Sequence, residues 1–244
     1  MSRFAFSPPR LAPWHDRALA RAPSQCEVCR QWSGSALCPD CVTRFAVPAC
    51  RCERCGLRLG LPAAACGACL RDPPTFERTH CVADYGFPWD RLITAFKFEG
   101  RVELAAVLAA RLQGAVQAAG GALPDLVLPV PLSAQRLAER GYNQAWELAR
   151  RVAQRLQRPA RADVLLRPWD TAHQADLGRA ERRKNLRSAF MVDPRWRAAL
   201  GGQCVALVDD VMTSGATARE AAAVLVRSGV AAVHVWVLAR TPEH

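Results

Sequence analysis

Hydrophobic and polar positions fall into blocks along most of this chain, and the period of the pattern switches from block to block. Cys81 to Tyr85 is a short apolar run of strand length. Trp89 to Phe98 and Arg101 to Ala118 carry apolar residues at helical spacing, with Gly100 between them. Asp125 to Val130 is a short apolar strand that runs into prolines. Ser133 to Leu156 predicts one long helix, with Ser133 as its N-cap. Asp163 to Arg167 and Ala189 to Val192 predict short strands on either side of a charged loop. A strand from Val205, an alanine-rich helix and a last strand, Ala232 to Leu238, complete the series. Such alternation predicts an α/β domain: a parallel sheet with helices on both faces. Ligands of such sheets bind beyond the carboxyl ends of the strands.

The segment Cys204 to Thr217, CVALVDDVMTSGAT, places chemistry at such an end. Apolar Val205 to Val208 lead into adjacent carboxylates, Asp209 and Asp210, which can accept hydrogen bonds from ribose hydroxyls. The loop Thr213-Ser214-Gly215-Ala216-Thr217 then offers hydroxyls and backbone N–H groups at a helix N-terminus, where the macrodipole favours an anion. Gly215 permits close backbone approach to a phosphate. A strand ending in two acids also serves magnesium in P-loop nucleotidases, but those need a Gly-Lys pair, and this chain has none.

The cysteines add a second module. Nine of the eleven lie between Cys26 and Cys69, and eight form C-x-x-C pairs: Cys26/Cys29, Cys38/Cys41, Cys52/Cys55 and Cys66/Cys69. Two such knuckles complete a tetrahedral thiolate site for zinc, so two structural zinc ions are expected. Sequential pairing is the simpler arrangement, and a cross-braced one, first with third and second with fourth, stays open. Gly56 follows a knuckle where a positive φ is often needed. Cys81 and Cys204 fit as small core residues near strands. The expected division is an N-terminal extension over 1–22, a double zinc ribbon over 23–72 and the α/β domain over 76–244.

Composition sets bounds on this picture. No apolar run approaches the roughly 18 residues that span a bilayer. The prolines of MSRFAFSPPRLAPWHDR do not suit a signal peptide, so cytoplasm is the expected compartment. The net charge of +11 comes almost wholly from arginine, Lys97 and Lys184 being the only lysines. Arginine suits phosphate and nucleic acid, although a GC-rich genome also favours arginine over lysine.

Two further segments belong near the site. Arg136, Arg140 and Asn143 cluster after the Asp125 strand, and Gly141 interrupts the helical pattern at a cost of about 1 kcal/mol. A diphosphate paired with Arg140 gives one reason for that glycine; a solvated helix face that tolerates it is the alternative. The loop from Arg167 to Phe190 holds Arg179, Arg182, Arg183, Lys184 and Arg187. It suits a lid over diphosphate or a track for a nucleic-acid backbone, and equally an exposed charged helix.

Taken together, these segments resemble the ComF family, a double zinc ribbon joined to a type I phosphoribosyltransferase-like domain. The resemblance rests on the knuckles, the Asp209-Asp210 loop and Arg140-Gly141-Tyr142-Asn143-Gln144. It extends to the spacing of Gln174, Leu177, Arg182, Asn185 and Phe190, and to Lys97 before a glycine turn. It implies a site for 5-phosphoribosyl diphosphate with magnesium and a role with single-stranded DNA in natural competence, beside uptake machinery at the cytoplasmic face of the membrane. On that basis Asp209 and Asp210 are assigned to the ribose hydroxyls and Thr213 to Thr217 to the 5-phosphate. Lys97 and Arg140 are assigned to the diphosphate, with Gly141, Asn143, Gln144 and Arg182 beside it. The rival expectation is a non-catalytic DNA-binding protein that uses the fold as a ligand sensor or scaffold, with Trp14, Trp32 or Tyr142 stacking on bases.

Overall fold

The computed structural model describes residues 24–168 and 189–242. The N-terminal extension with Trp14, and the charged-loop positions Gln174, Leu177, Arg182 and Asn185, lie outside the described residues. The chain divides into two compact units, 1–44 and 45–244.

In the first unit, β1 (Ser24–Gln25) pairs antiparallel with β2 (Trp32–Ser33), and α1 (Pro39–Phe45) follows. Cys26, Cys29, Cys38 and Cys41 converge between these elements. The second four-cysteine group, Cys52, Cys55, Cys66 and Cys69, belongs to the larger unit, beside α2 (Gly67–Arg71). Pairing is therefore sequential, and the cross-braced alternative is excluded. After the first knuckle of each pair the chain turns through a positive φ, at Gly56 (70°) and at Arg30 (63°). Gly56 thus meets the sequence expectation, and Arg30 adopts the same conformation without glycine's freedom.

The larger unit is built on β3 (Arg78–Asp84), β4 (Leu126–Pro129), β7 (Cys204–Met212) and β8 (Ala232–Arg240). They form one sheet in the order β3-β8-β7-β4, every pair parallel. The short strands β5 (Leu165–Leu166) and β6 (Met191–Val192) make a separate antiparallel ribbon. Alternation along β7 and β8 sends Val205, Leu207, Val233, Val235 and Val237 to one face. There they join Ala218, Ala221, Ala222 and Leu225 of α8 (Ala216–Arg227) in a common core. The opposite face packs against α4 (Leu104–Ala119) and α6 (Gln144–Leu156). Helices therefore cover both faces. Leu104, Leu108, Leu112, Leu148 and Val152 are fully buried, each contributing about 1.5–3 kcal/mol of hydrophobic stabilisation.

One expected helix is two. The run from Ser133 to Leu156 breaks into α5 (Ala134–Arg140) and α6. Ser133 caps the first by accepting from the Arg136 amide, as the sequence predicts. Gly141 then takes the left-handed conformation, with φ 75°, which a residue with a Cβ adopts only at a cost. Asn143 starts the second helix, its Oδ1 accepting from the amides of Ala145 (2.9 Å) and Trp146 (3.2 Å). The other α-helices among the described residues are α3 (Trp89–Phe98) and the short α7 (Arg197–Leu200).

Candidate functional site

A cleft of about 380 Å³ opens beyond the carboxyl ends of β4 and β7. Consecutive residues of a strand face opposite ways, so Asp209 continues the Val205–Leu207 face while Asp210 continues that of Ala206 and Val208. Both acids line the cleft, joined by Lys97 and Phe98 from the end of α3, Arg136 and Arg140 from α5, and Gln144 from the start of α6. Thr213 and Thr217 supply the wall contributed by the loop. Of the sequence-predicted residues, Gly141, Asn143, Ser214, Gly215 and Ala216 stand outside this lining. Gly141 and Asn143 serve the helix break instead, and Asn143 also donates to the Val130 carbonyl at 3.2 Å.

The charges within the cleft are unevenly satisfied. Asp210 is almost wholly buried, and Lys97 Nζ meets its Oδ2 at 3.0 Å and its Oδ1 at 3.1 Å. Among the described residues no ion pair is made by Asp209. Desolvation, reinforced by the negative charge of Asp210, pushes its carboxyl up to about 7, and the Lys97 charge offsets this only in part. Arg140 stacks on the exposed Phe98 ring, its guanidinium carbon 4.9 Å from the centroid. Among the described residues its buried Nη1 has no hydrogen-bond acceptor, nor does the buried Gln144 Oε1 have a donor. Unmatched buried polar atoms of this kind cost about 1–3 kcal/mol each. Both residues line the cleft.

The loop after β7 ends at Gly215, which caps α8 in a left-handed conformation (φ 75°) and gives that helix no side-chain cap. Ser214 Oγ accepts from the Ala216 amide at 3.4 Å. Gly215 itself adds no side-chain cap, and the hydroxyl-bearing Thr213 and Thr217 stand on either side of this helix start in the chain. Tyr85, Phe98 and Arg167 also line the cleft and went unread in the sequence. They come from separate segments and share no local pattern.

The two four-cysteine groups fit a metal. In each, the four sulfur atoms lie within 4.8 Å of one another. Burial pushes the thiols of Cys41 and Cys69 far up, and that of Cys55 up to about 11. At Cys26 and Cys52 burial also raises, but backbone amides outweigh it and bring these thiols down to about 6 and about 7. One thiolate per group is thus favoured, while Cys41 in the first group and Cys55 and Cys69 in the second are held protonated. A divalent cation removes that conflict by stabilising all four thiolates. All four positions are thiols, which would leave a metal bound there no open position for a substrate, as suits a structural site. Magnesium finds less protein here. Asp210 is engaged by Lys97, so magnesium would rest on Asp209, ligand oxygens and water.

Fold and site together define a class: a type I phosphoribosyltransferase-like α/β domain joined to two four-cysteine ribbon sites. No protein-family model matches the chain. The DNA utilization protein YhgH of Salmonella typhimurium is 35% identical over 222 residues, 88% of this chain and 90% of that protein. On that identity and coverage the chain belongs to the ComF family. Competence protein F of Haemophilus influenzae is 35% identical over 71% of this chain and 77% of its own length. Competence protein ComFC of Bacillus subtilis is 27% identical over 67% of this chain and 64% of its own. Among solved structures, a glutamine phosphoribosylpyrophosphate amidotransferase from B. subtilis, complexed with ADP and GMP, is 17% identical with a TM-score of 0.40. That match covers 58% of this chain but only 30% of the amidotransferase. So distant a likeness carries none of the argument, which rests on this chain's own strand order.

Proposed function

We propose that the cleft binds 5-phosphoribosyl diphosphate with magnesium, in a cytoplasmic protein that takes part in single-stranded DNA uptake or utilisation. The observation that carries this reading is the pair Asp209 and Asp210 at a strand's carboxyl end, in one cleft with buried Arg140 and Gln144 atoms that lack partners among the described residues. In it, the two acids accept from the ribose hydroxyls. The loop Thr213 to Thr217 holds the 5-phosphate with amides and hydroxyls, and Arg140 and Lys97 neutralise the diphosphate. Magnesium, when bound, neutralises further diphosphate charge.

The DNA role draws on the names of the relatives and on the surface of this chain. Phe98 is 64% exposed and backed by Arg140; Phe87 is 57% exposed, with Arg91 5.4 Å from its ring centroid. Trp32 is 71% exposed. Aromatic rings beside arginine, on a chain of net charge +11, suit unpaired bases and their phosphates. Tyr142 is less suited than expected, because its hydroxyl donates to the Phe96 carbonyl. Among the described residues no helix is long and apolar enough to cross a membrane. Contact with uptake machinery would then be made from the cytoplasmic face.

Calorimetry on zinc-replete protein tests the ligand. Heat with 5-phosphoribosyl diphosphate and magnesium, lost in the Asp209→Asn/Asp210→Asn double variant, is the expected result. Absence of heat in the folded wild type would overturn the reading. A diphosphate-release assay with candidate bases then separates a transferase from a binding protein.

A further inference from the structure

Four successive carbonyls of the second cysteine group's first knuckle are all engaged. Glu53 accepts from the Thr79 amide at 2.8 Å and Arg54 from Thr79 Oγ1 at 2.6 Å. Cys55 accepts from Arg240 Nε at 3.1 Å, and Gly56 from Arg51 Nη1 at 3.1 Å. Arg51 and Arg58 also pair with Asp84, the last residue of β3, at 2.6 and 3.2 Å. A Cβ at Gly56 would stand 2.9 Å from Thr79 Cγ2. The knuckle is thus fastened to β3 and β8.

Arg240 ends β8 and is 4% exposed. Its Nη1 donates to the carbonyls of Thr213, Thr241 (2.7 Å) and Met212 (3.4 Å). Thr213 opens the loop proposed to hold the 5-phosphate. A single buried guanidinium therefore bonds a residue of the second four-cysteine group through one nitrogen and the root of the loop through another. With the carbonyls of Met212 and Thr213 drawn to Arg240, the backbone at the root of the loop is fixed in direction. Removing an acceptor from a buried cation is costly, so the two segments hold each other in place.

We infer that Arg240 is a positioning residue that couples metal loading of Cys52, Cys55, Cys66 and Cys69 to the geometry of the loop from Thr213 to Thr217. The ligand half of this inference rests on the pentose-phosphate reading of that loop. With metal bound, the four thiolates hold the knuckle and keep the Cys55 carbonyl on Arg240. Without it, the four sulfurs lose the ion that ties them together, the knuckle loosens and Arg240 loses an acceptor. Coupling of this kind is reciprocal, so the ligand strengthens metal binding at this group.

Hydrogen exchange of the amides over 213–217 in the full zinc-loaded chain reads the coupling without any ligand. Cys69→Ser, which removes one thiolate, is expected to speed that exchange. It is also expected to weaken affinity for 5-phosphoribosyl diphosphate with magnesium about tenfold. Arg240→Lys keeps the charge but not the fork. It should do the same while retaining two zinc ions per chain. The double variant should add little to either single change. Unchanged loop exchange in either variant, or full additivity, overturns the inference. Should Cys69→Ser fail to fold, stepwise extraction of zinc from the wild type with a chelator supplies the same comparison. A chain that binds no 5-phosphoribosyl diphosphate, yet whose loop exchange follows zinc, would refute the pentose-phosphate reading and leave the coupling standing.

Discussion

Asp209→Asn should make this protein more stable, and increasingly so as pH rises. Desolvation and the charge of Asp210 raise the Asp209 carboxyl from 3.8 to about 7. The folded state therefore holds that proton more firmly than the unfolded chain does. Stability from this group is complete below about pH 4 and is lost as pH climbs through about 7. At about 1.36 kcal/mol per pH unit, the full loss is on the order of 4 kcal/mol, about half of it falling between pH 5.5 and 8.5. Asparagine is a neutral isostere and has nothing to lose over that range. Urea unfolding of zinc-replete wild type and variant at the two pH values measures the difference. The advantage of the variant should grow by about 2 kcal/mol from pH 5.5 to 8.5, less what water at the half-buried group screens. A constant difference between the two proteins, or a variant less stable at pH 8.5, would refute the reasoning. The same substitution should abolish the heat with 5-phosphoribosyl diphosphate, since a stability cost kept at a cleft is expected where binding requires it.

Three other outcomes are expected. Lys97→Met leaves the buried Asp210 without its 3.0 Å partner and should cost about 3 kcal/mol in urea unfolding, most of it recovered when Asp210→Asn is added. The purified chain should carry two zinc ions, and their release to a chromogenic chelator should become easier as pH falls, because protons compete for the eight thiolates. Asn143→Ala removes the cap of α6 and its bond to Val130 and should cost about 1–2 kcal/mol by circular-dichroism melts, the helix fraying from its start.

Elements governed by local rules were legible in the sequence. The helix from Trp89 to Phe98 spans the expected residues, because its apolar stripe of Trp89, Leu92, Ile93 and Phe96 is complete in itself. Strand ends were less legible. The first sheet strand starts at Arg78 rather than Cys81, since pairing with His234, Val235 and Trp236 holds polar Arg78, Thr79 and His80 in extended form. The break at Gly141 was visible as a residue but misjudged as an interruption within one helix. Glycine followed two positions later by asparagine is a C-cap beside an N-cap, and periodicity alone passes over such a junction.

The candidate site divides along the same line. Asp209, Asp210 and the loop behind them form one continuous segment, so strand, acids and helix start could be read in order. Lys97 and Arg140 came from remote segments, by family resemblance for the one and clustered charge for the other. Tyr85, Phe98 and Arg167 had no such signal, and tertiary folding alone brings them to the cleft. Arg240 differs from these, because a local sign existed. β8 is an apolar run, AVHVWVLAR, that ends in a buried arginine, and β3 likewise ends in Asp84, half-buried between Arg51 and Arg58. A charged side chain closing an apolar strand must find partners before it can be buried. At Asp84 those partners come from the second cysteine ribbon; at Arg240 they come from that ribbon and from the loop after β7. The residues that end the sheet strands therefore reveal what is docked on the sheet's carboxyl edge, and in this chain that edge holds a cysteine knuckle and the loop after β7 side by side.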